Sequence, residues 1–136
     1  MRKNKVLFIV DDDEDDINLF VEAVNEIDKG MGCYKAKNGE DALARLDALD
    51  MLPDVIFLDL NMPKMNGRET LERLKTSDRY KNIPVVIYST SNAQQDKDDT
   101  KAMGAADYLT KPDSFTDLCV ALARTIRTQA EKGRDS

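Results

Sequence analysis

The sequence predicts an α/β fold: one doubly wound parallel sheet of five strands, with helices on both faces. Three observations predict it. Short apolar runs, rich in β-branched residues, alternate along the chain with longer stretches whose apolar residues recur at helical spacing. The runs are apolar at successive positions, so both faces of each strand need cover. Short connections between alternating strands and helices leave right-handed crossovers as the topology.

The elements follow in order. "KVLFIV" (Lys5 to Val10) is a buried strand, stopped by acids. Ile17, Phe20, Val21, Val24 and Ile27 have helical spacing, and acids fill the first turn, where the helix dipole favours negative charge. A turn at "KGMG" leads to a short strand near "CYKA". "NGEDALARLDAL" begins a second helix with Leu43, Leu46 and Leu49 on one face, and "DVIFLD" is a strand. "NGRETLERLKTS" is a helix with Leu71 and Leu74 inward, followed by the strand "IPVVIYST". "NAQQDKDDTKAMG" is the least apolar helix and ends at Gly104, a natural stop. "ADYLTK" is the fifth strand. "SFTDLCVALARTIRTQ" is the last helix, with Phe115, Leu118, Cys119, Leu122 and Ile126 along one stripe. One domain is expected over residues 1–136, with its core at about 5–126 and a polar, fraying tail at 127–136.

Composition narrows the chemistry. The chain has 41% hydrophobic and 34% charged residues, as a globular protein does. No apolar run approaches the ~20 residues of a membrane span, and the start does not read as a signal peptide, so a cytoplasmic protein is expected. Cys33 and Cys119 lack metal-binding spacing and read as small buried side chains. The absence of His removes the commonest general base and transition-metal ligand. A net charge of −6 argues against nucleic-acid binding.

In an open parallel sheet, ligands sit at the carboxyl ends of the strands. The first strand ends on Asp11 and Asp12, the third on Asp59, the fourth on Ser89 and Thr90, and the fifth on Lys111 followed by Pro112. Two carboxylates ~5 Å apart repel by roughly 3 kcal/mol at an effective dielectric of about 20. Three together either protonate or hold a cation. Oxygen donors suit Mg²⁺ far better than zinc, with Mn²⁺ as an alternative. A carboxylate can also attack phosphorus to form an acyl phosphate, and phosphoryl transfer needs little beyond alignment and charge neutralisation. Each feature alone has a plain structural reading: an N-cap, a surface turn, a strand-end hydroxyl. Their convergence on one sheet edge is what points to function.

The motifs "DD", "DLNMPKMNG", "PVVIYS" and "GAADYLTKP", in this order and at these spacings, resemble the response-regulator receiver domains of two-component signalling, over about Lys5 to Ile126. The resemblance implies a flavodoxin-like (βα)5 fold with strand order 2-1-3-4-5. It implies that Asp59 is the phosphoacceptor and that Asp11, Asp12, Asp59 and the backbone carbonyl of Asn61 form the metal site. It makes Ser89 the switch hydroxyl, Lys111 the partner of the phosphoryl group and Tyr108 the aromatic that turns inward on switching. Family members usually have a cis bond at the proline matching Pro112, and tune phosphoryl lifetime at the positions of Asn61 and Ser91. The implied protein is no enzyme beyond its own phosphorylation and dephosphorylation. The fourth helix, fifth strand and last helix form its signalling face.

The acids after the pair, Asp13 to Asp16, read as a solvated first turn or as a field that tightens metal binding, with a cation site that weakens at low pH. No output domain follows, so the expected partners are a sensor histidine kinase or a histidine phosphotransfer protein, a downstream protein target, or a second copy in a homodimer. "TSDRYKNIPVV" and "DDDEDD" give a lighter resemblance to single-domain regulators that partner bacterial phytochrome-like kinases. Three other readings are weighed. A haloacid-dehalogenase-type phosphohydrolase would need an acid where Asn61 stands. A flavin-binding protein would need a phosphate loop where this chain has six acids. A phosphorylation-independent interaction module would have no use for the intact Asp12, Asp59, Ser89 and Lys111 set.

Overall fold

The computed structural model describes residues 5–134. Five strands alternate with five helices in it: β1 (Val6–Val10), α1 (Glu14–Ile27), β2 (Gly32–Ala36), α2 (Gly39–Asp47), β3 (Val55–Leu58), α3 (Gly67–Thr76), β4 (Val85–Ser89), α4 (Gln94–Ala102), β5 (Asp107–Thr110) and α5 (Phe115–Arg134). All strand pairs are parallel, in the order β2-β1-β3-β4-β5. This is the expected flavodoxin-like fold.

Side chains of successive strand residues point to opposite faces, and each face has its own core. Leu7, Ile9, Val55, Phe57, Val86 and Tyr88 pack against Phe20 and Val24 of α1 and Leu118, Leu122 and Ile126 of α5. Phe8, Val10, Ile56, Leu58, Val85 and Ile87 pack against Leu46 of α2 and Leu71 and Leu74 of α3. Phe20 meets the rings of Phe57 and Tyr88 edge-on, at 4.9 and 5.6 Å between centroids. Four helices start on side-chain caps: Asp13 accepts from the amides of Asp15 and Asp16, Asn38 from Asp41, Asn66 from Glu69, and Ser114 from Asp117. Helix α4 has no such cap and buries only Thr100. It ends before Gly104, whose φ of +104° is a conformation that favours glycine.

Three expectations need correction. The last helix, expected to end at Gln129 with a polar, fraying tail from 127, runs on to Arg134. Gln129 is 2% exposed, so the helix is still packed against the body three residues past Ile126. The last two residues of the expected tail, 135 and 136, lie outside the described residues. Phe115 does not join the buried stripe. It is 38% exposed and stands beside Leu19 at a small cleft between α1 and α5. Cys33 and Cys119 are free thiols, as expected, but half-buried rather than buried.

Candidate functional site

Four strand ends meet at one edge of the sheet. Three of the residues there are held by one ladder hydrogen bond beyond the end of a strand. The amide of Asp11 donates to the Ala36 carbonyl at 3.0 Å, that of Asp59 to Val10 at 2.9 Å, and that of Lys111 to Ser89 at 2.7 Å. Sheet pairing therefore sets the relative heights of these side chains. Gly67 closes the floor, its amide donating to the Leu60 carbonyl at 3.0 Å. A Cβ at this position would overlap the Asp59 carbonyl oxygen, so the start of α3 comes this close only with glycine.

Asp11, Asp12 and Asp59 each present an oxygen, all within 4.8 Å of one another. Asp11 is 0% and Asp59 6% exposed, while Asp12 is exposed. Burial pushes the Asp59 carboxyl up to about 7. Lys111 opposes that rise, the Asp11 charge adds to it, and the Asn61 backbone amide favours the ionised form. Burial also raises Asp11, against hydrogen bonds from the Lys111 ammonium at 2.8 Å and the Asp13 amide at 3.0 Å. These donors fit a hard divalent cation: all are carboxylate oxygens, and two are buried acids in mutual repulsion.

Lys111 lies 10% exposed and donates to both Asp11 and Asp16, each at 2.8 Å. Its ammonium sits 5.3 Å from the centroid of the Tyr88 ring. Burial works to lower its affinity for the proton, but the two carboxylate hydrogen bonds outweigh it and the net shift is upward. Ser89 is fully buried, and its Oγ accepts from the Ser91 amide at 3.2 Å. The Tyr108 hydroxyl donates to the Ser91 carbonyl at 2.8 Å, and Lys97 approaches the Tyr108 ring at 5.9 Å. Beside the acids lies a cleft of about 390 Å³ lined by Leu60, Asn61, Met62, Asn66, Arg68 and Asp96.

This arrangement, three oxygen donors and a lysine at the carboxyl edge of a 2-1-3-4-5 sheet, matches one family. The model of the response regulator receiver domain fits residues 7–123. The chain belongs to the response-regulator receiver family. Among solved structures, this receiver is similar to the phosphorylated cyanobacterial phytochrome response regulator RcpA, with a TM-score of 0.82 and 32% identity, covering 90% of this chain and 91% of that one. It is also similar to the Mn²⁺-bound form of response regulator Rcp1, with a TM-score of 0.78 and 30% identity, covering 88% and 90%. It is 35% identical to Protein PilG of Pseudomonas aeruginosa over 69% of this chain and 70% of that protein. Several other curated relatives are longer, and the receiver spans less than half of their length.

Two features of this receiver differ from the sequence reading. Pro112 follows a trans bond, since the described residues contain no cis peptide. Trans is the ordinary isomer, favoured by about 0.5–1 kcal/mol at proline, and the Lys111 side chain reaches Asp11 without the cis form. The sequence reading gave Asp16 a place only in the acidic first turn of its helix, and left out Arg68 and Asp96. Arg68 of α3 pairs with Asp96 at 2.5 Å and Asp99 at 3.2 Å, and Ser91 Oγ donates to Asp96 at 2.5 Å. A signal for Asp16 was present. It stands four residues before Phe20 and so falls on the inward stripe of its helix, where a lone acid requires a partner.

Proposed function

We propose that this receiver is a phosphoacceptor switch. Asp59 takes a phosphoryl group from a phosphohistidine donor on a sensor histidine kinase or a histidine phosphotransfer protein. A carboxylate oxygen of Asp59 bonds to phosphorus as the phosphorus–nitrogen bond breaks, and the departing imidazole takes up a proton. Asp11, Asp12, Asp59 and the Asn61 carbonyl would hold Mg²⁺, or Mn²⁺ as in the Rcp1 structure. A bound divalent ion supplies positive charge for the transferring phosphoryl oxygens. Lys111 supplies more from the chain itself, and Ser89 donates a hydrogen bond to a phosphoryl oxygen. The observation that carries this reading is the convergence of three carboxylates within 4.8 Å beside a buried lysine. Incubation with labelled acetyl phosphate and Mg²⁺ should give an acid-stable, base-labile label in the wild type and none in Asp59→Asn. An unlabelled wild type, tested with this donor and with a cognate kinase, defeats the reading.

The phosphoryl group carries about two negative charges. It shifts the conformational balance only through contacts that differ between states, and these run from Ser89 through Ser91 to Tyr108. The switching face is then α4, β5 and α5, presented to a downstream protein or to a second copy. The likeness to RcpA favours a phytochrome-type kinase as the donor. Tyr108→Ala should keep phosphorylation and lose phosphorylation-dependent partner binding in a pull-down. Asn61 and Ser91 flank the path of water to the acyl phosphate. Asn61→Met or Ser91→Arg should change the rate of phosphate loss, and an unchanged rate in both removes them as gates.

A further inference from the structure

Lys111 is shared between two carboxylates that differ in what they lose when it leaves. Asp11 is fully buried, and removing its ammonium strands a desolvated charge. Asp16 is 31% exposed on the first turn of α1, where water and the helix dipole take over once the lysine has gone. The ammonium has three donors, and Asp11 and Asp16 occupy two of them. A phosphoryl group on Asp59 gains most by drawing Lys111 toward itself, and the contact released at least cost is the one to Asp16.

We propose that Asp16 is a positioning residue, a counter-carboxylate that competes with the phosphoryl group for Lys111 and so sets how readily the phosphorylated state forms. This rests on the phosphoacceptor reading. Asp16 holds the lysine out toward α1 before phosphorylation. Its carboxylate is set free afterwards, beside Leu19 and Phe115 in the cleft between α1 and α5. Phosphorylation would thereby change the charge of that cleft as well as the α4, β5 and α5 face.

Beryllofluoride with Mg²⁺ serves as a stable phosphoryl analogue, and its binding to the whole chain is followed by amide NMR shifts at Ser89. Asp16→Asn removes the competing charge while keeping the side chain's shape, and should tighten binding by about fivefold, the worth of a partly exposed ion pair. Asp16→Glu should restore wild-type affinity. Asp15→Asn removes an equal charge from a neighbour whose exposed side chain does not contact Lys111, and should leave affinity unchanged. In a Lys111→Met background, Asp16→Asn should have no effect. A wild type that fails to bind beryllofluoride overturns the phosphoacceptor reading itself. A wild type that binds, with Asp16→Asn no tighter or Asp15→Asn equally tight, overturns the role of Asp16 alone.

Discussion

Burial raises the Asp59 carboxyl from 3.8 to about 7 in the metal-free fold, against the Lys111 charge and with help from Asp11. The folded state binds this proton more tightly than the unfolded chain, so the cost of ionising Asp59 is absent near pH 4. It grows as pH rises toward about 7 and is complete above that. Asp59→Asn removes the ionisable group. At pH 8 without divalent ions it should be more stable than wild type by about 4 kcal/mol, and the difference should vanish near pH 4. Thermal melts across this range check the prediction, and a flat difference would refute it. Mg²⁺ should raise wild-type stability at pH 8 far more than at pH 5, where protons compete for the same oxygens. The meeting of Asp11, Asp12, Asp59 and Lys111 at one sheet edge was legible in the sequence because each stands where a strand-like run ends. The partner of Asp16 was not, because its contact with Lys111 spans 95 residues and depends on how α1 seats against the sheet.

Helix α4 is the element least bound to the rest. It has no side-chain cap and one buried residue, and its first two turns are tied down from outside by Arg68 of α3 through Asp96 and Asp99. The tie also engages Ser91, two residues past the buried Ser89. Arg68→Ala should speed amide hydrogen exchange in α4 by about fivefold, consistent with ~1 kcal/mol from a partly exposed charge network, and leave β1 and β3 unchanged. Equal acceleration throughout the sheet would show that Arg68 supports the global fold instead. The weak amphipathicity of α4 was plain in its composition, but not its anchor, since an arginine at the start of α3 carries no mark of its partner. The reach of α5 to Arg134 was also hidden. "RTQAEKGR" is polar, and only the docked helix makes Gln129 an inward residue.

At the scale of the whole molecule, two cores share one sheet, and the site lies where their strands end together. The fold was legible because the strand sequences are apolar on both faces. Strand order was not contained in periodicity and came from the family resemblance. Gly67 shows how closely packing and chemistry are joined. Gly67→Ala forces the start of α3 away from the Asp59 backbone, and should cost about 2 kcal/mol as an overpacking change. It should also slow labelling by acetyl phosphate even where the protein remains folded. Normal labelling in a folded Gly67→Ala protein would show that the loop absorbs the methyl group.

The rungs that suspend Asp11, Asp59 and Lys111 from neighbouring strands have a thermodynamic corollary. A divalent ion gripped by Asp11 and Asp59 would bind only while their rungs are intact, so its binding energy would return to the sheet as resistance to fraying. Loading the pocket should therefore slow solvent exchange first at the amides of Asp11 and Asp59. The pocket would act as a rivet through the open end of the sheet.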